Sequence, residues 1–189
     1  IKENAIREVA IYFLNDIESE EFVNFFVRNN GIPREIKIKK YINDEDTYHD
    51  CLELYNKILN TKLKNAKFTT NAKRFIRMLV LNNLPVYILS GGDEKEVVNL
   101  LKFHNLFGLF TKVMGGPKTK YDNMNHLKVN GKTLYFGDSL VDYEVAKKYS
   151  LDFVFMYQYS QLQEWREYFK DKREVKVIKN FELFSSDNF

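Results

Sequence analysis

The sequence predicts an α/β protein in which a helical segment is joined to an open, doubly wound parallel sheet. Two observations carry this. Up to about residue 84 every apolar pattern has helical spacing; beyond it, short β-rich runs alternate with amphipathic helices. A third observation supplies the interior. Hydrophobic residues make up 44% of the 189-residue chain and aromatics 15%, against 8 Gly and 3 Pro, so there is material for a core and little for linkers.

In the first part Ile6, Val9, Ala10 and Phe13 fall on one helical face, as do Phe22, Val23, Phe26 and Val27. Asn29-Asn30-Gly31-Ile32-Pro33 reads as a turn, with Pro33 suited to the first position of a third helix reaching Ile42. A fourth helix is expected over Thr47 to Leu59, with Leu52, Tyr55 and Leu59 together, and a fifth over Thr70 to Asn82. Strands are then expected at Leu84–Leu89, Lys112–Met114, Thr133–Phe136, Phe153–Met156 and Val175–Ile178. Helices fit between and after them at about 93–106, 118–128, 140–149 and 160–170, the first opened by an Asp93/Glu96 capping box. No internal repeat or low-complexity tract is present.

The formal net charge is +3, from 29 basic and 26 acidic residues. A nucleic-acid binder would carry a stronger basic excess, so no such partner is expected. Cys51 is the one cysteine; it forms no internal disulfide and reads as a small apolar helix residue. No run approaches the ~20 apolar residues of a membrane span, and no signal peptide is visible. A reducing cytoplasm and no membrane partner are therefore the expectation. His49, His104 and His126 form no constellation.

In an open α/β sheet, ligands bind beyond the carboxyl ends of the strands. The polar, glycine-rich strand ends here are Ser90-Gly91-Gly92 and Gly137-Asp138-Ser139, which places both on one rim. Asp138 and Asp142 stand four apart across a strand end and the first turn of a helix. Two close carboxylates repel unless a cation lies between, and a hard cation such as Mg²⁺ resolves the conflict. The competing reading is structural: Asp138 or Ser139 caps the helix and Asp142 complements its dipole. Ser90, followed by two glycines, exposes backbone N–H groups that suit a phosphate, or else simply makes a tight turn. Lys120 can bring a point charge to that phosphate, with Lys118 as its rival.

Taken in order, Ser90 after a strand, then Lys120, then Gly137-Asp138-Ser139-Leu140-Val141-Asp142, the sequence resembles the haloacid dehalogenase superfamily of phosphatases and phosphomutases, over essentially the whole chain. Val86-Tyr87-Ile88-Leu89-Ser90 is similar to its second motif, Lys120 to its third and Gly137 through Asp142 to its fourth. The resemblance implies that Ser90 and the Gly91 amide hold the transferring phosphoryl group. It implies that Lys120 bridges phosphate and nucleophile, that Asp138 binds Mg²⁺ directly, and that Asp142 supports the metal through water. It also implies a helical cap over residues 1–72, an α/β core over 73–189, and an aspartyl-phosphate intermediate.

The family's first motif is an Asp-x-Asp that ends the first strand and supplies the nucleophile. Asn15-Asp16-Ile17-Glu18 does not fit, because its upstream apolar residues have helical spacing and no Gly-Thr or Gly-Val turn follows. Residues 1–14 instead resemble the helix after that motif. A sheet lacking its central strand would leave buried backbone groups unpaired at about 1–3 kcal/mol each, so the expectation is that roughly 10–20 further residues precede Ile1. The segment Arg28 to Lys40 is locally basic. Arg34 and Lys37, three apart, would share a face that either meets an anionic substrate or is solvated.

The reading reached from sequence is a Mg²⁺-dependent phosphatase for a small phosphorylated metabolite, with a phosphomutase as the alternative on the same scaffold. A non-catalytic phosphate-binding protein is the reading if the nucleophile is absent. Two acids at Asp138 and Asp142 favour a metal and argue against a dehalogenase.

Overall fold

The computed structural model describes residues 1–29, 32–129 and 131–184. The turn expected at Asn30-Gly31 lies outside them. Five helices come first: α1 (Lys2–Phe13), α2 (Asp16–Arg28), α3 (Arg34–Lys39), α4 (Glu45–Lys64) and α5 (Ala72–Leu81). Local chemistry starts two of them. Asn15 accepts a hydrogen bond from the Glu18 N–H at 3.0 Å, and Asp44 accepts one from the Thr47 N–H at 2.9 Å, each satisfying a donor that a first turn leaves open. Their apolar stripes then close on one another. Ile6 and Val9 of α1, Phe22 and Phe26 of α2, and Tyr55 and Leu59 of α4 form one buried cluster. The Phe22 and Phe26 rings meet edge to face at 5.9 Å, a geometry that suits their quadrupoles. Cys51 is buried in the same cluster, where desolvation pushes its thiol up to about 12, so it is an inert packing residue.

The rest of the chain alternates: β1 (Tyr87–Asp93), α6 (Glu94–Phe103), β2 (Lys112–Gly116), α7 (Lys120–Asn125), β3 (Leu134–Gly137), α8 (Leu140–Lys148), β4 (Asp152–Met156), α9 (Trp165–Phe169) and β5 (Lys176–Ile178). All pairings are parallel, which matches the α/β class expected from the alternation. The strands nevertheless form two sheets among the described residues, β1–β2 and β3–β4–β5. Between them lies a cavity of about 570 Å³ whose lining includes Phe75, Leu89, Met114, Phe136 and Phe181. Strands on either side of such a space cannot reach the ~4.8 Å ladder spacing.

The second sheet has its own aromatic core. Phe155, Phe153 and Phe169 bury against Tyr143 and Ala146 of α8. Trp165, the one tryptophan, stacks on Tyr157 at 4.8 Å and lies 6.0 Å from Phe155. No helix among the described residues is long and apolar enough to cross a membrane.

Candidate active site

The site begins with an irregularity in β1. Leu89 pairs with Met114, but the next partners are Asp93 and Gly116, so Ser90, Gly91 and Gly92 leave the ladder as a bulge. Freed from pairing, this segment lines a pocket of about 310 Å³, together with Lys120, Asp138 and Asp142. The Gly92 N–H donates to Ser90 Oγ at 3.0 Å, which fixes the hydroxyl at the pocket wall. Asp93 caps α6, accepting from the Glu96 N–H at 2.9 Å. Glu96 does not return the bond as a capping box would; its carboxylate turns to Arg34 instead.

The opposite wall is the Gly137–Asp142 turn. Ser139 caps α8 and forms a reciprocal box with Asp142. Thus the helix-capping role foreseen for this segment is present, and the site is built on top of it. Asp142 is 3% exposed and carries four donors: Lys120 Nζ, Tyr135 Oη at 2.8 Å, Ser139 Oγ at 2.6 Å and the Ser139 N–H at 3.2 Å. Burial pushes its carboxyl up, but the Lys120 charge and these hydrogen bonds outweigh burial and hold it below the usual carboxylate range. The Tyr135 hydroxyl is driven far up by burial and by the Asp142 charge, so it remains a donor.

Asp138 is in the reverse situation. Among the described residues no cation lies within ion-pair distance of it, and burial, followed by the Asp142 charge, raises its pKa despite Lys120 and Lys2 nearby. No group of three or more His, Cys, Asp or Glu positioned for a metal occurs among the described residues. The donors still suit Mg²⁺, which keeps several waters and takes one or two carboxylates plus phosphate oxygens. Asp138 offers a half-buried carboxylate with no ion-pair partner among the described residues. Asp142 is already committed to Lys120.

Gly137 is required here. A Cβ on it would sit 2.5 Å from Asp142 Cγ and 2.9 Å from Oδ2. Gly137→Ala is expected to displace the Asp142 carboxylate and cost about 1–3 kcal/mol, read by urea denaturation. An unchanged midpoint would show that the turn has more slack than these distances allow.

The structure therefore gathers Ser90, Gly91, Lys120, Asp138 and Asp142 into one pocket, and Arg34 and Lys37 of α3 line it as well. Lys118 is exposed and stands outside it. Arg34 and Lys37 are both 4% exposed, so their shared face is buried rather than solvated. The Arg34 guanidinium forks onto the Glu96 carboxylate at 2.5 and 3.3 Å and also donates to Asn56. Burial alone would lower its pKa, but Glu96 raises it. Lys37 Nζ donates to the Phe26 carbonyl at 3.1 Å and lies 3.6 Å over the Phe26 ring. Desolvation pushes its pKa down to about 7, with Lys2 and Arg34 adding to the effect.

Sequence reasoning missed two charged members. Glu96 had a signal, but it was read as a cap. Lys2 precedes the apolar stripe of α1 and gave none. It is exposed overall but lines the pocket, and desolvation there, followed by the Arg34 and Lys120 charges, lowers its pKa. The chain's one Asp-x-Asp triplet, Asp44-Glu45-Asp46, is the exposed start of α4 and does not line the pocket; Asp16 is likewise an exposed first-turn residue of α2.

A family model described as haloacid dehalogenase-like hydrolase matches residues 3–156. No curated protein sequence matches the chain. Among solved structures, a candidate phosphatase from Clostridium difficile superposes with a TM-score of 0.65 at 20% identity, covering 100% of this chain and 93% of that one. A haloacid dehalogenase-like family hydrolase from Streptococcus pneumoniae gives 0.64 at 14% identity, over 97% and 90%. The candidate HAD-hydrolase YfnB from Bacillus subtilis, bound to magnesium, gives 0.61 at 14% identity, over 98% and 92%.

Proposed function

This chain belongs to the haloacid dehalogenase-like hydrolase family, and from that premise we propose that it is a Mg²⁺-dependent phosphatase acting on a small phosphate monoester through an aspartyl-phosphate intermediate. One observation carries the reading. The bulged Ser90-Gly91 segment, Lys120 and the counter-charge-free Asp138 converge in a single pocket. Hydroxyl, amide and ammonium donors suit a phosphoryl group; the half-buried Asp138 carboxylate, with no ion-pair partner among the described residues, suits its metal.

In this proposal Ser90 Oγ and the Gly91 N–H hold two oxygens of the phosphoryl group. Lys120, steadied by Asp142, supplies a positive charge where negative charge accumulates. Asp138 would hold Mg²⁺, with Asp142 supporting it through water; when bound, the ion adds Lewis-acid stabilisation of the phosphoryl oxygens. Tyr135 and Ser139 keep Asp142 oriented and take no part in bond making.

The intermediate requires a nucleophilic carboxylate besides the metal ligand. Asp138 and Asp142 are the only aspartates lining the pocket among the described residues. This observation favours a second reading: a protein that binds phosphate without turning it over. A p-nitrophenyl phosphate assay on the full chain, with Mg²⁺ and with EDTA, separates the two. Under the phosphatase reading nitrophenol release requires Mg²⁺ and stops on chelation. Phosphate binding by calorimetry with no release above the Asp138→Asn background would overturn it in favour of binding alone.

A further inference from the structure

The pocket's cations outnumber their partners. Four line it: Lys2, Arg34, Lys37 and Lys120. Arg34 is neutralised by Glu96, and Lys120 by Asp142. Lys37 and Lys2 are left. Among the described residues neither has a carboxylate within ion-pair distance. Lys37 has only a carbonyl and an aromatic face, both from Phe26. Glu35, two residues before it on α3, attracts it without pairing, and its buried Oε2 has no hydrogen-bond partner. Lys2 lines the same pocket, repelled by Arg34 and Lys120, attracted by Asp138 and Glu96, and it repels Lys37.

A buried ammonium without a counter-ion is costly, and fixed protein groups usually offset the cost. For Lys37 the fixed groups are one carbonyl and one ring, neither of them charged, and it lines the pocket where a ligand can reach it. On the phosphatase reading, from which this step proceeds, the phosphoryl group occupies the Ser90–Lys120–Asp138 end. We propose that Lys37, with Lys2 beside it, is a specificity-determining pair that binds a second anionic group of the substrate, so that the substrate class is small bis-anionic phosphate monoesters. Arg34 is excluded from this role because Glu96 and Asn56 occupy its guanidinium. The size fits: about 310 Å³ has room for a phosphoryl group and a short charged arm.

Non-hydrolysable probes test this in metal-free buffer at fixed ionic strength. Ethylphosphonate and propylphosphonate carry one anionic group. Phosphonoacetate and 3-phosphonopropionate add a carboxylate at matched length, and ethane-1,2-bisphosphonate adds a second phosphoryl group. By calorimetry on the full chain, one of the two-anion probes is expected to bind at least about tenfold more tightly than its single-anion match, as charge-assisted hydrogen bonds permit. Whichever second group gains more identifies it. Lys37→Met should collapse the ratio to within about twofold of unity, Lys37→Arg should restore part of it, and Lys2→Met should lower it less. Tight single-anion binding with no gain from a second group would overturn this inference and leave the phosphoryl site standing. No binding of any phosphonate would overturn both. A ratio that survives Lys37→Met would assign the second group elsewhere.

Discussion

Glu96→Ala is expected to lower the unfolding free energy by about 3–5 kcal/mol, the range for removing one member of a buried ion pair. Glu96 is 8% exposed and Arg34 4% exposed. Once the carboxylate is gone, the guanidinium cannot escape by losing its proton, because arginine stays charged at any accessible pH. Asn56 and the Tyr55 ring, 5.2 Å from the guanidinium carbon, are the partners that remain, and neither carries charge. The fall should appear in urea denaturation at pH 7 and as a drop of roughly 10 °C in the thermal midpoint. Arg34→Met combined with Glu96→Leu should recover most of it, since a well-packed apolar pair does without both desolvation costs. A loss under ~1 kcal/mol would mean that the pair behaves like a surface contact. The ion pair also joins α3 of the helical segment to α6, which packs on β1 and β2. Part of the loss is thus expected as weaker coupling between them.

Asp138→Asn is expected to reduce turnover by about 10²–10³-fold, comparable to removing one preorganised electrostatic group, while making the metal-free protein more stable at neutral pH by about 0.5–2 kcal/mol. The two effects have one cause. Burial and the neighbouring Asp142 raise the folded-state pKa of Asp138 above its unfolded value of ~3.9. The stability contributed by such a group is full below the unfolded pKa and is lost as pH rises through the folded one. Asn has no proton to lose and avoids the penalty. Asp142 has the opposite sign: its depressed pKa gives stability present above ~3.9 and lost as pH falls through the folded value. Thermal midpoints in EDTA from pH 3 to 8 therefore should show wild type and Asp138→Asn diverging as pH rises above the ordinary carboxylate range. Parallel curves with a wild-type advantage at pH 8 would contradict a raised Asp138.

Much of this site is legible from strand ends alone. Ser90 and Asp138 follow β-rich runs and precede helices, so alternation is enough to place both on one rim. The second helix, fixed by its apolar stripe, was recognisable without its cap. Boundaries were weaker. β1 runs from Tyr87 to Asp93, later than the expected Leu84–Leu89, because Ser90–Gly92 remain extended through the bulge. Pro33 stands just before α3 rather than in its first turn. α4 runs on to Lys64, past Leu59, because Leu63 carries the apolar stripe one turn further onto the helical core. The sheet, expected to lack its central strand, is divided into β1–β2 and β3–β4–β5. Glu96 shows the limit most clearly. Its distance from Asp93 suggested a local bond, and a charge 62 residues away took it instead. No local pattern encodes that contact.

The position of Trp165 divides the molecule optically. The lone indole stacks on Tyr157 beside Phe155, within the β3–β5 core and away from α1–α4. Intrinsic emission excited at the red edge will follow that core alone, whereas far-ultraviolet ellipticity is weighted toward the long helices. One denaturation run watched in both channels thus assigns each transition to a region without any added label.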